Sequence, residues 1–409
     1  MIMTEISNNI REELAELQKF TATPGNGVTR FPFTEEARRA CAYLQQLMEE
    51  AGLTVRLDNS GALIGRLEGE TPATIMMGSH FDSVGHGGAY DGIAGVVCAI
   101  EVARLLKKSG EKPHYSLEVI ATNDEEGARF HVGLFTGKVL LGQLTAEDLH
   151  KQTDADGISV YEAMAAYGLK PEEIAEHQRR DIKAFLEVHI EQGPVLEAAD
   201  KQIGIVDVIV GIKRVSVRIN GRAVHVGTMP MHMRKDALEQ AAKVISKIGD
   251  RARCFPNTVA TVGYLQVEPN IINIVPQTVT FTVDIRGVDK AAITSQYQGL
   301  VADLEQMQAA SGLTYDVETL LDAEPVVMDA HIKELFAASC AARSLTHMHL
   351  PSGAGHDAQI FGEQLPAAML FVPSIGGRSH CPEEESRAED LAAAVLVASD
   401  AVQTLLAGK

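Results

Sequence analysis

The chain has no run of about 18 apolar residues, so nothing in its 409 residues is expected to span a bilayer. Its five cysteines, Cys41, Cys98, Cys254, Cys340 and Cys381, are odd in number, scattered, and never in a C-x-x-C pair. That argues against a disulfide framework or a thiolate zinc site and fits a reducing compartment. Basic residues are outnumbered, 36 Lys and Arg against 55 Asp and Glu, for a formal net charge of -19. A field of that sign repels phosphate, so neither nucleic acid nor an anionic membrane surface is an expected partner. Met1 to Phe20 lacks an apolar h-region, which argues against a secretory signal and makes the cytoplasm the expected location. No internal repeat or low-complexity tract occurs.

What is present suits a soluble protein of two domains, with 45% hydrophobic and 22% charged residues. Helices are expected near residues 5–20 and 34–51, then strands at 53–57 and 62–67 around the turn Asp58-Asn59-Ser60-Gly61. Apolar runs at Ala73 to Met77, Leu117 to Ala121 and Ala184 to Val188 read as further strands. A helix with Ile93, Val96, Val97, Ile100 and Ala103 on one face separates the first two. From Ile212 the order becomes strand, helix, two strands, helix, strand, the βαββαβ pattern of a ferredoxin-like unit. The expected organisation is an α/β catalytic domain with a mixed sheet, formed by residues 1–211 and 328–409, and an inserted domain at 212–327.

The chemistry gathers at strand ends. Gly78-Ser79-His80-Phe81-Asp82 follows the first run, Asp124-Glu125-Glu126-Gly127 the second, and His189-Ile190-Glu191-Gln192-Gly193 the third. Gly87-Gly88-Ala89-Tyr90-Asp91-Gly92 precedes the helix, and Ser379-His380 comes after a strand at Ala367 to Val372. Strand ends of an open α/β sheet share one crevice. Imidazole and carboxylate without thiolate suit divalent metals of borderline hardness. Two ions about 3.5 to 4 Å apart need a bridging carboxylate, which Asp91 can supply, and they hold a nucleophilic hydroxide. A second, unligated carboxylate must move the proton from that water to the leaving nitrogen, and the Glu125-Glu126 pair offers one residue for each task. Singly, each feature has a plainer reading. A His at a strand end is often only hydrogen-bonded, Asp91 can be a helix N-cap, and adjacent Glu are commonly solvated. The convergence of the clusters carries the metal-site reading.

In order, these motifs resemble those of the M20 metallopeptidase-like superfamily, and most of all its amidase/hydantoinase-carbamoylase branch, over nearly the whole chain. That branch holds N-carbamoyl-L-amino acid hydrolases, allantoate amidohydrolases and β-ureidopropionases. The resemblance implies that His80, Asp91 and His189 hold one metal and that Asp91, Glu126 and His380 hold the other. It further implies Glu125 as general base and acid, and Asp82 orienting His80. Gln192, His225, Asn273 and Arg286 match the substrate-binding residues. Arg286 is the natural bidentate clamp for a carboxylate, and His225 a donor to the developing oxyanion. Gly355 and His356, in Ser352-Gly353-Ala354-Gly355-His356-Asp357, match a further motif near the site. The inserted domain is implied to be a lid and a homodimerisation unit.

The expected activity is hydrolysis of the carbamoyl or ureido C–N bond of a small carboxylate substrate, allantoate or an N-carbamoyl-L-amino acid. Two divalent ions per subunit would be needed, zinc or manganese, with cobalt or nickel also suited to the ligand set. Residues 352–361 and 180–193 look closest to allantoate amidohydrolases, and residues 124–130 equally like the carbamoylases. An aminoacylase or dipeptidase of the same superfamily, or a non-catalytic binding module, are the rival readings. His86, Val226 and Lys138 depart from the family pattern, and Cys381 beside His380 is unexpected.

Overall fold

The computed structural model describes residues 2–110 and 112–408. The described residues form sixteen strands. The first six are β1 (Thr54–Leu57), β2 (Leu63–Leu67), β3 (Thr74–His80), β4 (Ser116–Thr122), β5 (Ile182–Ile190) and β6 (Ile203–Ile209). Then come β7 (Gly211–Asn220), β8 (Val224–His225), β9 (Thr258–Thr261), β10 (Leu265–Glu268), β11 (Ile274–Val275), β12 (Thr278–Gly287) and β13 (Thr314–Ala323). The last are β14 (Val326–Val327), β15 (His347–Ser352) and β16 (Ala367–Val372). They divide between two compact units, one of Met1–Asp207, Val327–Leu350 and His356–Lys409, the other of Val208–Val326 with Pro351–Gly355.

In the first unit a nine-stranded sheet runs β1-β2-β4-β3-β5-β16-β6-β14, with β15 also paired to β6. The centre, β4-β3-β5-β16, is parallel, while β1 and β2 are antiparallel to their neighbours and β6 is antiparallel to β16. Every residue of β3, β4 and β16 is buried, as parallel strands covered on both faces require. The helices α1 (Ile2–Leu17), α2 (Glu35–Glu50) and α3 (Ile93–Ser109), with the helix Ala388–Leu406, contribute to one core with the sheet. Thr34 caps α2, its hydroxyl accepting from the Ala37 amide at 3.3 Å.

Several elements differ from expectation, each for a physical reason. The helix α3 buries Ile93 to Ala103 almost all round, because β3, β4 and β5 cover one side and α1 and Ala388–Leu406 the other. Residues 145–177 form two short helices and a 3-10 turn, the helices closed by reciprocal capping boxes at Thr145/Asp148 and Ser159/Glu162. The first of the two middle strands expected in the inserted unit breaks into β9 and β10 around Gly263.

In the second unit, β10-β12-β7-β13 is antiparallel, and β9 also pairs with β12. Counting β9 and β10 as one broken edge, this is the ferredoxin-like strand order. Val215, Val217, Ile219, Val279, Phe281, Val283 and Ile285 alternate along β7 and β12 into a separate core with the helices Ala237–Ala252 and Lys290–Ser311. No helix among the described residues is long and apolar enough to cross a membrane.

Close approach of α3 to the sheet depends on Gly95, where an added Cβ would lie 2.1 Å from the Val188 carbonyl oxygen and 2.8 Å from Ser79 Cβ. Gly95→Ala is expected to lift the helix start and destabilise the protein by about 1–3 kcal/mol, read as a lower unfolding midpoint in urea. An unchanged midpoint would contradict this packing.

Candidate metal centre

Because β4, β3, β5 and β16 are parallel, their C-terminal ends open on one edge of the sheet. His80 is the last residue of β3 and His189 lies within β5, so both strands run further than the sequence pattern indicates. Glu125 and Glu126 follow β4, and His380 lies in the loop after β16. Asp91 precedes α3 but does not cap it. Gly92 occupies that position with no side-chain cap, leaving the Asp91 carboxylate turned towards the imidazoles. Asp124, Gln192 and His380 adopt left-handed backbone at φ 57, 59 and 56, a concentration of uncommon conformations at this one edge.

The two carboxylate oxygens of Asp91 face different partners. Oδ1 is 3.1 Å from His189 Nε2 and 3.6 Å from His80 Nε2. Oδ2 is 3.1 Å from His380 Nε2 and accepts from Gln192 Nε2 at 2.9 Å. Glu126 Oε1 stands 3.4 Å from His380 Nε2, and Glu125 Oε2 is 3.8 Å from His80 Nε2. His80 and His189 each turn Nδ1 to a main-chain carbonyl, that of Asp82 at 3.0 Å and of Ile190 at 2.9 Å. A carbonyl only accepts, so the proton sits on Nδ1 and the two Nε2 lone pairs converge, 3.5 Å apart, beside Asp91.

That arrangement fits a cation. Donors at about 2.0–2.1 Å from a tetrahedral ion stand roughly 3.3 Å from one another, close to the spacings among His80, Asp91 and His189. Asp91 Oδ1 and Glu126 Oε1 are buried and accept no hydrogen bond. Four donor groups meet the geometric requirement: His80/Asp91/His189, Asp91/Glu126/His380, His80/Glu125/Glu126, and Glu187/His189/His356. Among the described residues, no Lys or Arg pairs with Asp82, Asp91, Glu125, Glu126, Glu187, Asp357 or Glu384.

Protonation responds accordingly. Burial, reinforced by Asp91, pushes the Glu126 carboxyl up to about 7. Burial and the nearby Glu126 push Glu125 well above the usual carboxylate range, against the opposing pull of His80. The hydrogen bond to Asp91 raises His380 to about 9. Burial would raise Asp91 too, but the three imidazoles hold it well below its ordinary value. Positive charge is what this cluster lacks, and protons or cations must supply it.

Asp82 orients His80 through its main-chain carbonyl, while its carboxylate stands 3.8 Å from Nδ1. That carboxylate instead accepts the amides of Glu125 at 3.1 Å and Glu126 at 3.2 Å, because the left-handed turn at Asp124 aims both at it. His356, expected at the substrate, is 1% exposed and lies edge-on against His189 with ring centroids 4.4 Å apart. Lys138 is half-buried and donates to the Val132 carbonyl, and exposed His86 has Nδ1 3.0 Å from the Asn26 carbonyl.

The remaining expected residues belong to the second unit. His225 and Asn273 come together there, exposed, where β8 pairs with β11 and the Asn273 carbonyl accepts from the Val226 amide at 3.2 Å. Arg286, on β12, donates to Asp284 Oδ1 and to the Gly353 carbonyl, both at 2.9 Å, and Gly353 lies in the same short segment as Gly355.

Sequence reasoning missed Glu187 and Glu384. Glu187 accepts from Ser79 Oγ at 2.7 Å and the Ala358 amide at 2.9 Å, tying β5 to β3 and to the helix Asp357–Gly362. A charged residue inside the apolar run Phe185-Leu186-Glu187-Val188 was the available signal. Glu384 sits in Glu383-Glu384-Glu385, which reads as a solvated run, yet it is 4% exposed.

The profile of Peptidase family M20/M25/M40 matches residues 76–404, a span holding all five side chains of the cluster. The chain belongs to that family. This M20 protein is 40% identical over 390 residues to an N-carbamoyl-L-amino-acid amidohydrolase of Paenarthrobacter aurescens, covering 94% of each chain. It is 36% identical to an allantoate amidohydrolase of Escherichia coli K12, covering 96% of this chain and 97% of that one. A crystal structure of an amidase of the hydantoinase/carbamoylase family from Burkholderia multivorans superposes with a TM-score of 0.90 at 32% identity, covering 98% of both.

If cations supply the missing charge, zinc or manganese added to chelator-treated protein stabilises it by about 2.7 kcal/mol at a hundredfold excess over Kd, seen as a rise in melting temperature. Asp91→Ala, which removes the carboxylate common to both assigned groups, is expected to abolish the rise. A melting curve indifferent to metal in the unsubstituted protein would contradict the assignment.

Proposed function

We propose that this M20 hydrolase cleaves the carbamoyl or ureido C–N bond of a small carboxylate substrate, with two divalent cations at the strand ends. The observation that carries the two-cation reading is Asp91, whose Oδ1 faces His80 and His189 and whose Oδ2 faces His380. His80, Asp91 and His189 are assigned to one ion, and Asp91, Glu126 and His380 to the other. The donors are imidazole and carboxylate, which suits zinc or manganese. When bound, such a pair lowers the pKa of water towards neutrality and polarises a carbonyl.

The chain's own residues do the rest. Glu125 is assigned to proton transfer, taking the proton of the attacking water on its carboxylate and delivering it to the departing nitrogen. Its burial-raised pKa suits a group that must hold a proton between two steps at neutral pH. Asp82 steadies that carboxylate by accepting the Glu125 and Glu126 amides. Gln192 holds Asp91 Oδ2 in place. In the second unit, Arg286 is assigned to the substrate carboxylate and His225 and Asn273 to its carbonyl, by resemblance to the family pattern. That unit is also the assigned lid and homodimerisation element, in keeping with exposed Val259, Tyr264 and Leu265 on β9, β10 and the turn between them. All five cysteines are free, in keeping with a cytoplasmic setting.

The identities of the relatives favour N-carbamoyl-L-amino acids first and allantoate second. Ammonia release from a panel of both, against N-acetyl amino acids and dipeptides, tests the substrate class. Turnover confined to the acetyl or peptide substrates would replace it with an aminoacylase or dipeptidase.

Glu125→Gln is expected to retain metal at the level of the unsubstituted protein and to lose at least ~100-fold in kcat. Elemental analysis together with steady-state kinetics checks both halves. Turnover within a few-fold of the original would remove Glu125 from proton transfer.

A further inference from the structure

Asp91 and His380 lie 289 positions apart, and no strand pairing joins the loops that carry them. Gln192 reaches side chains of both, 2.9 Å from Asp91 Oδ2 and 3.4 Å from His380 Nε2, while Glu384 joins their main chains. Glu384 Oε1 accepts the amides of Tyr90 at 3.0 Å and Asp91 at 2.9 Å. Its Oε2 accepts the Ser379 hydroxyl at 2.7 Å and the His380 amide at 3.3 Å. The Ser379 hydroxyl in turn lies 3.4 Å from Asp91 Oδ2 and 3.3 Å from Gln192 Nε2. Four donors from two loops therefore converge on one buried carboxylate. Room for it comes from Gly88, where an added Cβ would fall 2.0 Å from Glu384 Oε1.

We propose that Glu384 is the positioning residue of the second cation group, a carboxylate that binds no ion itself but staples the Asp91 loop to the His380 loop. The inference rests on the two-cation reading. The two groups differ in how they are held. His80 and His189 stand on β3 and β5 and are fixed by the carbonyls of Asp82 and Ile190, contacts in which Glu384 takes no part. Asp91 keeps further support from the start of α3, where the Ile93 amide reaches its carbonyl at 2.7 Å, and from Gln192. His380 sits with its side chain 49% exposed at a left-handed position, φ 56, and the Glu384 carboxylate is what holds its amide. Loss of the staple should thus fall on Asp91/Glu126/His380 and spare His80/Asp91/His189.

The test is calorimetric titration of chelator-treated full-length protein with zinc. Unsubstituted protein is expected to bind two equivalents. In Glu384→Gln an amide NH₂ replaces one acceptor and faces donors, leaving at least one of them unpaired. That variant is expected to keep one equivalent within about threefold of its original Kd and to weaken the other by at least about tenfold, the scale seen for groups that orient metal ligands. Gly88→Ala, which keeps Glu384 but displaces its carboxylate, is expected to give the same selective loss. Circular dichroism melting without metal monitors folding of both. Two equivalents bound as tightly as before, or both weakened alike in folded variants, would overturn the role given to Glu384. A single equivalent in the unsubstituted protein would instead overturn the two-cation reading on which it rests.

Discussion

Negative charge buried without basic partners is the constraint from which the rest of this site follows. Asp82, Asp91, Asp124, Glu187, Asp357 and Glu384 are each no more than 7% exposed, and Glu125 and Glu126 are only slightly less enclosed. Desolvating one carboxylate without compensation costs several kcal/mol. Three of these groups are compensated by main-chain amides: Asp82 by two, Glu384 by three, Glu187 by one together with a serine hydroxyl. Asp91 and Glu126 are not, and they are the ones turned towards imidazole nitrogens. The division separates carboxylates held by amides from Asp91 and Glu126, whose unpaired Oδ1 and Oε1 face imidazoles and fit a cation, while Asp124, whose oxygens likewise accept no hydrogen bond, stands outside it.

The scaffold has to bring these groups together with little backbone freedom to spare. Four parallel strands deliver their ends to one edge, but the side chains meet only because the backbone passes unusually close at chosen points. At Gly92 a Cβ would lie 2.4 Å from the His80 ring, and at Gly88 it would displace Glu384. Gly95 seats α3 against Val188, one residue from His189. Each glycine serves a different contact, and together they set how near Asp91 comes to both histidines.

How much of this was legible beforehand depended on whether the information was local. His80, Glu126 and His189 stood out because each follows an apolar run, Asp91 because it lies among glycines before a helix, and His380 because it comes after a strand and a Gly-Gly pair, patterns contained in a few residues. Their meeting at one edge, with Asp91 at the centre, is what the coordinates add. Glu384 was illegible because a Glu-Glu-Glu run looks solvated until the loop carrying it is seen folded under Gly88. Asp82 was recognised as supporting His80, but its acceptance of the Glu125 and Glu126 amides was illegible because the turn at Asp124 that presents them lies far along the chain. His356 carries a motif that reads as ligand-binding, and its burial against His189 and Phe371 could not be read from that motif. The strands β6 and β15 escaped notice because neither shows a clean alternation, their pairing being decided by partners distant in sequence.

Glu125 and Glu126 pose the sharpest question, because neighbours in sequence with similar enclosure are assigned different work. The left-handed residue Asp124 and the glycine Gly127, at φ 63, bracket them, so the chain turns between the two and their side chains diverge. Glu126 ends 3.4 Å from His380, and Glu125 ends 3.8 Å from His80. Both amides are tied to the same Asp82 carboxylate, which fixes the divergence and leaves neither side chain free to exchange places with the other. Proximity to Asp91 and His380 makes Glu126 a member of a donor group whose charge a cation would neutralise. Such a cation would hold Glu126 ionised, and its fixed charge beside Glu125 keeps the second carboxyl's proton affinity high. On the proposed reading one carboxylate is committed to charge and the other poised to gain and lose a proton, the asymmetry that amide hydrolysis needs, and a two-residue turn would produce it.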